Sequence, residues 1–102
     1  MSKQARIQKI FTEDQRLVIL RTLAESPNYR SNDSILDDVL EAYSHNVSRD
    51  KVRNHLNWLA EQELVIIERL DSTMIATLTQ RGLDVSKGDA NCEGVKRPEP
   101  GL

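Results

Sequence analysis

The sequence predicts an α+β fold, mainly α: a three-helix core closed by a two-stranded β-hairpin and followed by a short C-terminal helix. Three observations lead there. Apolar residues recur at helical spacing in three runs before Gln62. The period then changes at Leu64-Val65-Ile66-Ile67, a continuous apolar run that the turn Asp71-Ser72-Thr73 separates from a second extended stretch, Met74 to Leu78. The length of 102 residues, 38% of them hydrophobic, suits one domain with a single modest core. Three amphipathic helices must pack on one another to bury their stripes, and a hairpin needs cover for its apolar face. The economical arrangement is the winged helix.

Each element has its own signal. Thr12-Glu13-Asp14-Gln15 reads as a capping box opening the first helix, whose stripe is Leu17, Leu20, Leu23 and Ala24 and which Pro27 ends. Asn28 to Ser31 reads as a loop. A second helix starts near Asn32 to Ser34; it is expected to bury Ile35, Leu36, Val39, Leu40 and Tyr43 and to show Asp37, Asp38 and Glu41 to water. Ser44-His45-Asn46 is a polar break. Ser48 is a good N-cap for the third helix, which turns Val52, Leu56 and Leu59 inward. Ile66 and Leu78 of the hairpin join that core, and Trp58, off the apolar arc, is expected to wedge under the hairpin. Thr79 caps a last helix from Gln80 to about Ser86. From Lys87 onward, glycines together with Pro98 and Pro100 indicate a tail. The predicted organisation is an N-terminal arm, 1–11, a winged-helix domain, 12–86, and a flexible or docking C-terminal tail, 87–102.

The net charge of −2 makes the whole chain a poor electrostatic trap for nucleic acid. Its distribution is uneven. Residues 1–11 carry Lys3, Arg6 and Lys9 and no acid, whereas seven acids face three arginines between 12 and 47. Cys92 is the only cysteine, which excludes an intrachain disulfide and a multi-cysteine zinc site. No apolar run approaches a membrane span, so a soluble cytoplasmic chain without membrane partners is expected. Enzyme chemistry finds no footing: Asp37 and Asp38 are adjacent and diverge on a helix, and Gly82, Gly88, Gly94 and Gly101 form no phosphate loop. His45, His55 and Cys92 have no metal-ligand spacing. No cofactor is expected.

The third helix carries the sharpest functional signal. Ser48, Arg49, Lys51, Arg53, Asn54 and Asn57 fall on its first turns, where a recognition helix enters the major groove. Arginine can read guanine bidentately and asparagine can read adenine. Arg69, near the hairpin tip, could meet phosphate or a minor groove. Double-stranded DNA is thus the expected partner. A homodimer and a phage or host protein are further candidates. The competing expectation is a protein-interaction module, an assembly or packaging adaptor using the acidic second helix and the tail.

The segment Ser48 to Leu59, followed by Glu63-Leu64-Val65, resembles the recognition helix and first wing strand of bacterial winged helix-turn-helix regulators of the ArsR and MarR type. Leu78-Thr79-Gln80-Arg81-Gly82 is similar to the step that succeeds the wing there. The likeness is greatest to small ArsR-like proteins of Mu-like prophages, through Trp58 to Gln62, Ala76 to Gly82 and Gly94-Val95-Lys96-Arg97-Pro98. It implies a DNA-binding regulator. The chain lacks the cysteine, acid and histidine clusters of the metal sensors. Before Thr12 and after Ser86 it leaves no room for the long terminal helices through which such regulators dimerise.

Overall fold

The computed structural model describes residues 2–99. Four helices and a three-stranded antiparallel sheet run in the order α1 (Lys3–Glu25), β1 (Arg30–Asn32), α2 (Asp33–Ala42), α3 (Arg49–Glu61), β2 (Val65–Leu70), β3 (Thr73–Leu78) and α4 (Gln80–Lys87). The architecture is α+β and mainly helical, as expected.

The first helix departs most from expectation. It does not open at Thr12. Ser2 is its cap, with its hydroxyl accepting from the Ala5 N–H (3.1 Å), and 23 residues run without a break to Glu25. Residues 3–11 are therefore not a separate arm, and the chain does possess a long terminal helix. No glycine or proline interrupts residues 3–25, and Lys, Gln, Ala and Arg are all good helix formers, so propagation continues where burial has ceased. At about 1.5 Å per residue α1 is roughly 35 Å long.

After Pro27 the chain reverses through Asn28 and Tyr29, both left-handed (φ 58° and 57°). Residues 30–32, the first two expected as loop and the third as the start of the second helix, then add a third strand along the free edge of β3, with Arg30 opposite Thr77 and Asn32 opposite Ile75. Sheet order is β1-β3-β2. A strand of three residues is too short to show a period. In the hairpin Val65 faces Leu78 and Ile67 faces Ala76, and this set meets the helices. Strand alternation then turns Ile66 outward, 61% exposed, so it leaves the expected core.

The core otherwise matches expectation: Leu20, Leu23, Leu36, Leu40, Val52, Leu56 and Leu59 are fully buried, with Leu17 and Leu78 nearly so. Val39 packs at its margin, whereas Ile35 of α2 and Tyr43, its C-cap, stand half or more exposed. Gly82 closes the domain at the other end. A β-carbon there would run into the Leu64 carbonyl oxygen and Leu78 Cδ1, so only glycine lets α4 approach the α3–β2 turn this closely. Thr79 fixes that approach, donating its hydroxyl hydrogen towards the Glu63 and Leu64 carbonyls and accepting from the Gly82 N–H (3.0 Å).

Beyond α4 the chain folds back over α1. The Lys96 N–H donates to the Glu13 carbonyl (3.1 Å), Arg16 Nη1 donates to the Gly94 carbonyl (3.0 Å), and Ala90, Cys92 and Val95 pack against the core. The tail thus docks, but on α1. Lys96 also pairs with Asp14 (3.5 Å). Pro100 lies outside the described residues.

Candidate nucleic-acid interface

Helix α3 begins at Ser48, whose side-chain oxygen accepts from the Lys51 N–H (3.1 Å). Its inner side is set by Val52, His55, Leu56 and Leu59, all buried. That register leaves Arg49, Lys51, Asn54 and Asn57 exposed, together with Asp50 and Glu61. Two cations thus share the outer surface with two acids, and local attraction for phosphate is modest.

Arg53 belongs elsewhere. Its Nε donates to Asp33 Oδ2 at 2.7 Å, and its Nη2 donates to the Ser72 carbonyl in the hairpin turn. One guanidinium therefore ties α3 to the first residue of α2 and to the β2–β3 turn. Asp33 is fully buried. Burial alone would raise its carboxyl, but hydrogen bonding to Arg53 and the charges of Arg53 and Arg49 outweigh it and hold the group below the usual range. Sequence alone puts Arg53 among the DNA contacts and gives Asp33 no role. The one signal for Asp33 is an acid directly after the capping Asn32, and a helix-start acid is usually solvated. Arg69 is exposed near the hairpin tip and opposite Met74 in register, which puts it on the helix side of the sheet.

Behind α3 a directed chain of hydrogen bonds crosses to α1 and the tail. Arg16 Nε donates to His55 Nδ1 (3.3 Å), His55 Nε2 donates to Gln15 Oε1 (2.8 Å), Gln15 Nε2 reaches His45 Nδ1 (3.4 Å), and His45 Nε2 donates to Asp14 Oδ2 (2.7 Å). The network assigns the His55 tautomer, with Nδ1 accepting and Nε2 carrying the proton. Burial, then the charges of Arg16, Lys51 and His45, pushes the His55 imidazole down to about 4, so it is neutral at pH 7. Arg16 also lies over the Trp58 ring, 3.8 Å from its centroid, and Gly94 covers the same ring. Trp58 therefore packs under the tail rather than under the hairpin. Among the described residues no cluster of three or more His, Cys, Asp or Glu could hold a metal.

These features define a small α+β domain with one helix presented outward beside a hairpin. The chain is 56% identical over 94 residues to the uncharacterized protein gp26 of Escherichia phage Mu, covering 92% of this chain and 97% of that protein. It is 48% identical over 93 residues to an uncharacterized protein of Haemophilus influenzae, covering 90% of each. This chain belongs to the family of the phage Mu protein gp26. No family model matches it, and no solved structure does.

Proposed function

We propose that the domain is a winged helix that binds double-stranded DNA, setting α3 in the major groove with β2–β3 as its wing, and that it serves as a phage or prophage regulator. The observation that carries the reading is the outward face of α3. It holds Asn54 and Asn57, two residues of a type suited to adenine, flanked by Arg49 and Lys51, on a helix whose cap and buried face fix its position. The Arg53 tie supports it further, since it couples the wing turn to the recognition helix. The phage origin of one relative supports the phage setting.

Selection of bound sequences from a random duplex pool tests the reading. Enrichment of a defined motif is expected, and it should be lost when Arg49→Ala and Lys51→Ala are combined, at an unchanged melting temperature. Failure to enrich any sequence overturns it. The adaptor reading rests on a different observation, the exposed apolar residues of α1 and α2 that lie outside the α3 face; it gains if no motif emerges.

A further inference from the structure

Helix α1 overhangs the core by about two turns, and the overhang is amphipathic, with its apolar stripe left exposed among the described residues. Ile7, Ile10 and Phe11 occupy one stripe at i, i+3 and i+4, and are 41%, 55% and 49% exposed. The stripe does not end at the helix. Phe11 and Ile10 share a groove with Tyr43, the C-cap of α2, and a second groove between α1 and α2 joins Tyr43 to Val39. Ile35, one turn earlier on α2, is again half exposed. Soluble monomers seldom leave large apolar side chains in a continuous strip of this kind.

The two halves of the strip are built to one pattern with opposite charge. On α1, Arg6 precedes Ile7 and Lys9 comes two positions after it, with Phe11 four positions on. On α2, Asp38 precedes Val39 and Glu41 comes two positions after it, with the C-cap Tyr43 four on. Arg6, Lys9, Asp38 and Glu41 are all exposed. At about 100° per residue Arg6 and Asp38 flank their stripes on the same side, whereas Lys9 and Glu41 point to the far side of their helices. When two helices face each other across their stripes, same-sided flanks meet only if the helices run antiparallel. An antiparallel crossing of this overhang on an α2 thus sets Arg6 against Asp38 while the apolar stripes pack. Within one chain the two segments lie side by side, so they cannot face each other.

We infer that the strip is the interface of a homodimer, in which the α1 overhang of each copy lies antiparallel across α2 of the other. A two-fold axis makes the contact twice, and each copy supplies both halves. The inference is independent of DNA binding.

The test is a charge exchange and a mass measurement in solution, without DNA. Wild type should sediment at twice the chain mass at micromolar concentration. Arg6→Glu, and separately Asp38→Lys, should each be monomeric, because each variant sets like charges against each other at both contacts. An equimolar mixture of the two should recover the dimer, since both contacts are again complementary in the heterodimer. Circular dichroism verifies the folding of each variant, and Ile10→Glu, at an exposed position, gives an independent break expected to be monomeric. A monomeric wild type at all concentrations overturns the inference and leaves the strip to a different protein. Variants that stay dimeric, or a mixture that stays monomeric, overturn it equally.

Discussion

Arg49 and Arg53 are one turn apart on α3, yet they do different things. Arg49 is exposed, whereas Arg53 is committed to Asp33 and Ser72. Arg53→Ala should leave a fully buried carboxylate without its partner and cost about 3–5 kcal/mol. Thermal unfolding would read this, and a melting temperature matching wild type would show the tie to be dispensable. Any test of DNA contact must therefore spare Arg53. The pairing is illegible in sequence because its partners lie on different helices and only the fold brings them together. His55 gives a pH prediction. In the unfolded chain it takes up a proton near about 6.5; in the folded chain it does so only at about 4. Between these values the unfolded state binds more protons, so stability rises with pH. The contribution is complete above about pH 6.5 and lost as pH falls to about 4, on the order of 3 kcal/mol in all. His55→Gln should flatten that part of the profile of unfolding free energy against pH.

At the scale of elements, the parts that bury a face are legible and the parts that do not are obscure. Val52, Leu56 and Leu59 set the register of α3, and the change of period at Leu64 announces the hairpin. The overhang of α1 has no core to face, so a local capping signal at Thr12 outweighs the continuing helix. Strand β1 is legible only from β3, whose free edge it covers. Of the candidate contacts, those on the outer face of α3 come from the same register that buries its inner face. In sequence Gly82 stands out only through a resemblance, and the structure supplies the reason for it: α4 passes too close to the Leu64 carbonyl for a side chain. Gly82→Ala should cost about 1–3 kcal/mol, because the clash is with backbone that cannot turn aside. Chemical denaturation would measure it, and an unchanged midpoint would mean that α4 can shift without loss.

For the whole molecule, the overall negative charge and the mixed charges around α3 set the character of any DNA complex. If Arg49 and Lys51 are the phosphate contacts, each copy neutralises about two phosphates, and the logarithm of affinity should fall with the logarithm of salt at a slope of roughly −2 per copy. Titrations at several salt concentrations would give the slope. A value near zero would argue against a DNA surface at α3. The slope also separates a specific but shallow electrostatic footing from a general affinity for polyanions, which an acidic body disfavours.

The docking of the tail on Trp58 has a practical consequence. This is the only tryptophan in the chain, and Gly94 lies close enough that a β-carbon there would come within 2.6 Å of its ring. Its emission is therefore a local gauge, reporting whether residues 94–99 are seated while the helices report on everything else. Gly94→Ala should move the emission maximum to longer wavelength, as water reaches the indole, with the far-ultraviolet signal of the helices intact. In wild type, warming should shift the emission before the helices melt, because a few hydrogen bonds and one valine hold the tail, whereas a full core holds the rest. Coincident transitions would instead make the tail an integral part of one cooperative unit.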